Sequence, residues 1–330
     1  MSIVLSVGIP TYNGRKYISD SLDSVIANIA EELKGEVEII VSDNGSNDGT
    51  GAVVQQYVER YPSLILYRRN ETNIGFDLNV DSIFRMARGS YVQILGDDDF
   101  LHDRSIEKIL RIIKTRPRVA VILLSVDFLN IETQQKVPGQ RYQKDTEYSS
   151  GDEFFIATGW GTAPISSLVI KRGEWLKSDL AIYRDTQWIH VGAVLEILKR
   201  GNTSYVITED LVTVRTGNPR WSENFGNQLK AGMEHLILIR KMISLGYRSD
   251  TFNVFLNDRF AHNLKDIAAM RGKRAVDNIA TAKLMVTVFY KKPAFWIVHL
   301  PILLIPYPLF VFLKALVRRA KSGLRRSGSI

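Results

Sequence analysis

The sequence SYVQILGDDDF, at Ser90–Phe100, joins a strand pattern to an acidic cluster. Tyr91–Leu95 is a short, mostly apolar run that contains Val and Ile, which is typical of a buried strand. The run stops at Gly96 and three consecutive aspartates, so a strand leads directly into concentrated negative charge. Adjacent carboxylates repel one another, and at the edge of a folded core they favour a cation site. The alternative interpretation is a solvated acidic turn.

The cofactor expected at this cluster is a hard cation such as Mg²⁺ or Mn²⁺. These ions prefer oxygen ligands and usually take one or two carboxylates, with water and substrate phosphate oxygens in the remaining positions. We therefore interpret Asp97–Asp99 as part of a metal–diphosphate site.

Strand patterns alternate with helix patterns over the first hundred residues. This order predicts an α/β fold with a Rossmann-like, mostly parallel sheet flanked by helices. Ligands collect at the carboxyl ends of the strands in such sheets, and Asn13, Asp43 and Asp97–Asp99 all fall at that edge. The predicted strands in this region are Ile3–Ile9, Glu36–Val41, Leu64–Tyr67 and Tyr91–Leu95.

Composition and charge narrow the class of protein. The 330 residues include no Cys, which excludes disulfides and thiolate metal sites. Eight basic and no acidic residues lie from position 291 onward, and the rest of the chain has 35 of each. Because the body is neutral, we expect no nucleic-acid partner. Ser2–Tyr12 resembles a strand and has no basic leader, so we expect no signal peptide and a cytoplasmic protein.

Four motifs together resemble the family 2 glycosyltransferases of the GT-A fold. They are VGIPTYNG at Val7–Gly14, VSDNGSNDGT at Val41–Thr50, NIGF at Asn73–Phe76 and ILGDDDF at Ile94–Phe100. The resemblance is close over residues 1–130 and looser up to residue 225. It implies a nucleotide-diphosphate-sugar donor and inverting transfer of the sugar to an acceptor hydroxyl.

The resemblance also implies roles for single residues in the nucleotide-binding motifs. Pro10, Thr11 and Tyr12 would border the nucleotide, and Asp43 would bind its base. Asn73 would contact the nucleotide. The residues themselves leave alternatives open, because Asp43 could form an Asx-type turn and Asn73 could merely shape its loop.

The Asp-rich metal motif departs from the family at one position. Residue 96, where the family often carries the first Asp of the motif, is Gly. We therefore assign Asp98 as the principal metal ligand and Asp99 as a second one, with Asp97 on the donor. For both Asp97 and Asp99, contact with the ribose, contact with the metal and support of another ligand stay open.

Two later segments are expected to supply the chemistry. The family carries an acidic catalytic base at the start of a helix, and Asp185 in YRDTQWIH matches it. Capping of that helix by Asp185 or Thr186 is the alternative. In the following loop RTGNPRWS, Arg215 or Arg220 is expected to neutralise the leaving diphosphate.

The chain is expected to have three parts. Residues 1–225 form the GT-A domain, with a nucleotide-sugar-binding half at 1–130 and an acceptor-binding half at 131–225; 226–290 form a helical appendage and 291–330 a membrane-associating tail. Pro293–Leu313 is uncharged over about the length of a bilayer crossing. Three prolines interrupt it and basic residues flank both ends, so we expect in-plane or re-entrant attachment to the inner membrane surface, helped by anionic lipid. A buried core helix is the alternative.

The expected protein is a peripheral or monotopic enzyme on the cytoplasmic face of the cell membrane. It would add one sugar to a lipid-linked saccharide acceptor in surface polysaccharide or O-antigen assembly. Processive members of the family carry Gln-x-x-Arg-Trp where this chain has Gly217 at the Gln position. Tyr183–His190 and Arg215–Ser222 also resemble O-antigen dideoxyhexose (abequosyl-type) transferases.

Two alternatives come from other functional classes. A sugar-nucleotide pyrophosphorylase shares the sheet and the metal, but it needs a Gly-rich, Arg-containing loop where this chain has PTYNG. A non-catalytic, lipid-anchored nucleotide-binding scaffold explains the tail and leaves the carboxylates without a role.

Overall fold

The computed structural model describes residues 2–218, 238, 240–257, 260 and 278–326. Ten strands within these ranges form one sheet. In chain order they are β1 Leu5–Thr11, β2 Val37–Asp43, β3 Ile65–Arg69, β4 Tyr91–Ile94, β5 Phe100–Leu101, β6 Val119–Asn130, β7 Lys136–Pro138, β8 Thr146–Tyr148, β9 Leu168–Lys171 and β10 Thr203–Thr216.

The sheet is mixed, which corrects the expectation of a mostly parallel one. Its order is β3-β2-β1-β4-β9-β6-β10-β5, with β7 beside β6 and β8 beside β10. The first four strands run parallel, as predicted, whereas β9 is antiparallel to both β4 and β6. Ser166, just before β9, contacts Gly96 at the carboxyl end of β4. Because β9 starts at the edge where β4 ends, it must run in the opposite direction.

Seven helices of the first two hundred residues accompany the sheet. They are α1 Ile18–Ala27, α2 Thr50–Arg60, α3 Phe76–Met86, α4 Ser105–Thr115, α5 Gly151–Thr158, α6 Arg172–Leu176 and α7 Ile189–Lys199. Helix α1 ends at Ala27 and is followed by a separate 3-10 turn at Glu31–Leu33. Helix α4, which the sequence analysis did not identify, buries Ile106 and Ile109 completely in the same apolar core as α1.

Contacts divide the chain into two compact units. The first contains Met1–Asn218 and Leu238–Val254, and the second contains Pro219–Ile237 and Phe255–Ile330. The candidate site described below lies in the first unit. Much of the predicted helical appendage, 226–290, lies outside the described residues.

The second unit ends in short helical segments. They are Asn278–Phe289, a π-helical turn Phe295–His299, Leu300–Leu304 and Tyr307–Arg326. In the described part of the chain no single helix has the length and apolarity to cross a membrane, although Phe295–Leu304 and Tyr307–Leu316 together do, across a bend of 114°. Phe295 and Leu303 are fully buried, whereas Ile297 and Phe312 are 75% and 59% exposed.

Candidate active site

The carboxyl ends of β1, β2 and β4 lie side by side. Thr11, the last residue of β1, is opposite Asp43, the last residue of β2. On the other side of β1, Gly8 is opposite Ile94, the last residue of β4. The motifs that follow these three strands therefore meet at one edge of the sheet, as the sequence predicted.

Asp97 is held by the first motif. The hydroxyl of Thr11 donates a hydrogen bond of 2.5 Å to Oδ2 of Asp97, and both residues are buried. A side-chain carbon on residue 14 would collide with this carboxylate, so only Gly14 allows the close approach. Thr11, predicted to border the nucleotide, thus orients an acidic residue of the metal motif.

Asp98 is held by a residue that the sequence analysis did not single out. The side-chain amide of Asn218 donates a hydrogen bond of 2.7 Å to Oδ2 of Asp98. Asn218 is 2% exposed and follows Gly217, whose φ of +78° turns the chain just after β10. The available signal was an amide side chain beside a glycine at the end of a predicted strand.

Asp99 connects three segments through hydrogen bonds. Its Oδ1 accepts from the backbone N–H of Arg215 at 2.8 Å, and its Oδ2 accepts from the hydroxyl of Ser166 at 2.5 Å. Ser166 in turn accepts from the backbone N–H of Gly96. Burial, together with the neighbouring charges of Asp98 and Asp97, raises the pKa of Asp99 to about 7. Asp99 therefore fastens β10 and the turn before β9 to the acidic loop.

The acidic loop has the donor chemistry of a hard-cation site. Three buried carboxylates lie next to one another, and burial first, then repulsion by Asp98 and Asp97, raises the pKa of Asp99. Their side chains have different partners, and within the described ranges no three acidic, His or Cys side chains converge as ligands of one ion. Mg²⁺ commonly takes one or two protein carboxylates together with phosphate oxygens and water. These residues fit that pattern, with Asp98 as the assigned principal ligand.

Asp43 is fully buried, and both of its carboxylate oxygens are engaged. Oδ1 accepts from the backbone N–H of Ser46, and Oδ2 accepts from the Tyr67 hydroxyl, both at 2.8 Å. Arg69 lies 3.9 Å from Oδ2. The hydrogen bond from Ser46 is a local contact of the kind made in an Asx-type turn, which was the alternative role for Asp43. Asp43 shapes the loop after β2, and its binding of a nucleotide base stays a prediction.

Asn73 joins its motif to the second motif. Its Oδ1 accepts from the side-chain amide of Asn44 at 2.8 Å and from the backbone N–H of Gly75 at 2.9 Å. The backbone N–H of Asn44 in turn donates to the carbonyl of Thr11. Asn73 therefore shapes its loop, which was one of its two expected roles, and its contact with a nucleotide stays a prediction.

Asp185 lies beside this loop and is exposed. Its Oδ1 is 3.9 Å from the position that a Cβ on Gly75 would occupy. Its backbone is left-handed, with φ of +61°, which is uncommon for a residue other than glycine. Over the residues that the structure describes, the carboxylate accepts no hydrogen bond and forms no ion pair. A carboxylate in this state can accept a proton.

Two other side chains accept hydrogen bonds from backbone N–H groups at the start of α7. Thr186 Oγ1 accepts from the N–H of Trp188, the residue before the helix, at 3.1 Å. The carboxylate of Asp77, in the first turn of α3, accepts from the backbone N–H of Ile189 at 3.1 Å. Asp185 takes no part in this cap, so the described contacts do not explain it as a capping residue.

Arg215 is placed beside α1. Its Nη2 donates to Asp20 at 2.6 Å, and its guanidinium lies over the rings of Phe100 and Tyr17 at 5.2 and 5.7 Å. Its Nη1 is buried and has no hydrogen-bond partner among the residues that the structure describes. Neutralisation of a leaving diphosphate by Arg215 stays a prediction. Arg220 lies outside the described residues.

The remaining predicted nucleotide neighbours differ in accessibility. Pro10 is buried within β1 opposite Ser42, whereas Tyr12 is 44% exposed just beyond the strand. Of these two residues, Tyr12 is therefore the one whose side chain is accessible from solvent.

Comparison with known proteins agrees with this architecture. The family model described as Glycosyl transferase family 2 matches residues 6–166. The chain is 27% identical over 281 residues to abequosyltransferase RfbV of Salmonella typhimurium, which covers 79% of this chain and 80% of that protein.

Solved structures with the same fold include two with bound sugar nucleotides. TarS 1-349 of S. aureus, in complex with UDP-GlcNAc, has a TM-score of 0.61 at 15% identity and covers 86% of this chain and 87% of its own. The mannosyltransferase PcManGT of Pyrobaculum calidifontis, in complex with GDP-Man and Mn²⁺, has a TM-score of 0.55 at 17% identity, covering 96% and 88%. The fold is thus of the GT-A type, and residues 6–166 match the model of glycosyl transferase family 2.

Proposed function

We propose that this protein is an inverting glycosyltransferase that moves one sugar from a nucleotide-diphosphate-sugar to a hydroxyl of a lipid-linked saccharide in cell-surface polysaccharide assembly. The family 2 domain and the likeness to a sugar transferase over four fifths of each chain support the glycosyl-transfer part. The two sugar-nucleotide complexes among structures of the same fold support the donor class.

The observation that carries the proposal is a row of residues along the carboxyl edge that are linked by side-chain and backbone hydrogen bonds. At the end of the row lies an acid that has no hydrogen-bond or ion-pair partner among the described residues. The row starts at the metal motif, crosses the first and second motifs, and reaches the third. In order, its members are Asp97, Thr11, Asn44, Asn73 and Gly75, with Asp185 beside Gly75.

A single displacement fits this arrangement. Asp185 takes the proton of the acceptor hydroxyl, and that oxygen forms a bond to the anomeric carbon from the side opposite the diphosphate. The bond between the anomeric carbon and the phosphate oxygen breaks, and its electron pair leaves with the nucleoside diphosphate. A divalent cation held by Asp98 and Asp99 would supply Lewis-acid neutralisation of that leaving group. Thr11 and Asn218 keep Asp97 and Asp98 oriented at this point.

The acceptor and the location are proposed from the tail. Between 295 and 316 the described residues expose many large apolar side chains, although Phe295, Leu303 and Phe310 are buried. The exposed ones are Trp296, Ile297, Val298, Leu304, Leu309, Val311, Phe312, Leu313 and Leu316. Basic residues without acidic ones flank this surface in the sequence, which suits anionic lipid at the cytoplasmic face of the membrane. A lipid-linked acceptor would meet the enzyme there.

A donor screen tests the proposal. The melting temperature of the full chain is measured with UDP-, GDP-, CDP- and dTDP-sugars, each with and without Mg²⁺ or Mn²⁺. We expect stabilisation by one nucleotide class that depends on the metal, and its loss in Asp98→Asn, which removes a ligand charge at nearly constant volume. Asp103→Asn, an exposed aspartate five residues further on, is the matched control and should behave as the natural protein.

Two results would contradict the proposal. If the donor stabilises Asp98→Asn as much as it stabilises the natural protein at limiting metal, the assignment of Asp98 as a metal ligand is wrong. The absence of metal-dependent stabilisation with every donor would favour the non-catalytic scaffold.

A further inference from the structure

Asp77 is a buried acid whose position points to the candidate base. It lies in the first turn of α3, two residues after Gly75, and is 3% exposed. Its Oδ2 accepts from the backbone N–H of Gln187 at 2.8 Å, and its Oδ1 accepts from that of Ile189 at 3.1 Å. The carboxylate of Asp77 thus accepts hydrogen bonds at two positions in the segment that follows Asp185.

The segment that Asp77 binds contains two residues in an unfavourable backbone conformation. Asp185 and Gln187 both have left-handed φ values, +61° and +66°, and neither is glycine. Such conformations persist where the surroundings over-determine them, and they cluster at functional sites. The contact of Thr186 Oγ1 with the carbonyl of Tyr183, at 2.6 Å, secures the near side of the segment, and Asp77 secures the far side.

This contact is unusual for a purely structural one, because it buries the negative charge of Asp77 without a positively charged partner in the described structure. In the described structure the carboxylate of Asp77 is satisfied by backbone N–H groups and pairs with no Lys or Arg. Burial is the largest influence on its pKa, which is raised. A neutral side chain could cap a helix without that burial cost, whereas only a carboxylate accepts through both oxygens here.

We propose that Asp77 is a positioning residue for sugar transfer: it locks the 183–189 segment so that Asp185 stays beside Gly75, and thereby couples the Asn73–Phe76 loop to the base. This inference rests on the proposed function and on the role of Asp185 in it. Asp77 itself touches no reacting atom.

The test is a double-mutant cycle on the full chain with Asp77→Asn, Asp185→Asn and the combination. The amide of Asp77→Asn keeps the shape of the side chain but cannot accept through both terminal atoms. We expect kcat to fall by roughly tenfold to a hundredfold, the scale of a misplaced catalytic group. Metal-dependent donor affinity should change by less than about twofold, since the donor edge is untouched. In the Asp185→Asn background the same change should leave the residual kcat nearly unaltered.

A matched control lies one helical turn away. Asp81 is also a buried aspartate of α3, but it pairs with the Trp175 indole and with Arg85. Asp81→Asn should lower the melting temperature and leave kcat near normal. A readout that does not use activity is hydrogen–deuterium exchange, which should speed up at 183–190 in Asp77→Asn and stay unchanged there in Asp81→Asn.

Several outcomes would overturn the inference. Normal kcat in Asp77→Asn, or an equal loss in both backgrounds, would show that Asp77 does not act through Asp185. If Asp77→Asn does not fold, Asp77→Ser carries the same prediction, and failure of both to fold would assign Asp77 to the fold alone. If Asp185→Asn retains turnover, the base assignment of the proposed function fails instead, and the exchange data still report whether Asp77 holds the segment.

Discussion

The side-chain amide of Asn218 donates a hydrogen bond of 2.7 Å to Oδ2 of Asp98 across 120 residues of sequence. Both side chains are buried, at 2% and 7% exposure. The bond ties one carboxylate oxygen of Asp98 to the segment just after β10 and thereby restricts the rotation of the whole carboxylate. Partners that orient a metal ligand in this way contribute to metal affinity.

Asn218→Ala should therefore weaken metal binding at the donor site without abolishing it. The metal concentration that gives half-maximal donor stabilisation should rise by roughly tenfold to a hundredfold, as for other partners of metal ligands. Titration of Mn²⁺ at saturating donor, followed by melting temperature, measures the change. Asn202→Ala, whose amide contacts Glu174 and the carbonyl of Ile197, should leave the titration unchanged. An identical metal requirement in Asn218→Ala and the natural protein would refute the orienting role.

Asp185→Asn should separate chemistry from binding. The amide preserves shape but cannot take a proton, so turnover should fall by roughly a hundredfold or more while metal-dependent donor affinity is kept. Donor affinity, melting temperature and turnover are measured on one preparation. Asp179→Asn, in an exposed aspartate that accepts from the backbone N–H of Ala181, is the control and should keep turnover. Near-normal turnover of Asp185→Asn would move the base elsewhere, with Glu209 and Asp210 as the next carboxylates to test.

The tail is better tested by point substitutions than by removal. Truncation after Tyr290 would delete Phe295 and Leu303, which are fully buried in the second unit. Ile297→Glu and Phe312→Glu place a charge on exposed positions and should each weaken binding to vesicles containing phosphatidylglycerol by about tenfold or more, the value of one inserted apolar side chain. Cosedimentation measures binding, and metal-dependent donor affinity should not change.

Ile182→Glu is the control for the tail substitutions, because Ile182 is 48% exposed in the first unit. It should bind vesicles as the natural protein does. Equal vesicle binding by all three variants would count against attachment through the tail.

His190 predicts a pH dependence of stability. Burial lowers the pKa of His190 to about 4, while its Nε2 donates to the carbonyl of Ala163 at 3.1 Å. The unfolded chain has a histidine pKa of about 6.5, so between these values the unfolded state binds more protons. His190 therefore has no effect above about pH 6.5 and lowers the free energy of unfolding as the pH falls toward 4, by at most about 3 kcal/mol.

His190→Gln should remove this contribution, because Gln can donate to the same carbonyl and does not titrate. The informative quantity is the difference in unfolding free energy between the natural protein and the variant, measured by urea denaturation from pH 4 to pH 7.5. Asp99 has the opposite effect on stability, because its pKa of about 7 lets the folded state bind a proton at a higher pH than the unfolded state does. This contribution is the same in the natural protein and the variant, so it cancels in the difference. A difference that is flat across this range would mean that folding does not lower the pKa of His190.

The local pattern was sufficient to predict the first four strands and the edge at which their motifs meet. Apolar runs that end in Gly or Asp mark where buried strands leave the core, and side-chain periodicity reports burial directly. Because parallel strands place their carboxyl ends together, Asn13, Asp43 and Asp97–Asp99 could be assigned to one edge from sequence alone. The resemblance in four motifs added the reaction class.

Only the tertiary structure decided which distant residue forms a hydrogen bond with each buried polar group of the site. Asn218 on Asp98, Ser166 on Asp99 and Asp77 on the start of α7 are partners separated by 120, 67 and about 110 residues, and no local periodicity encodes such pairs. The antiparallel insertion of β9 between β4 and β6 brings Ser166 to Asp99, and the left-handed turn at Asp185 places a carboxylate beside Gly75. A sequence reveals which groups must leave water, because burial follows from composition and spacing, whereas the partner of each buried polar group depends on how distant segments are brought together.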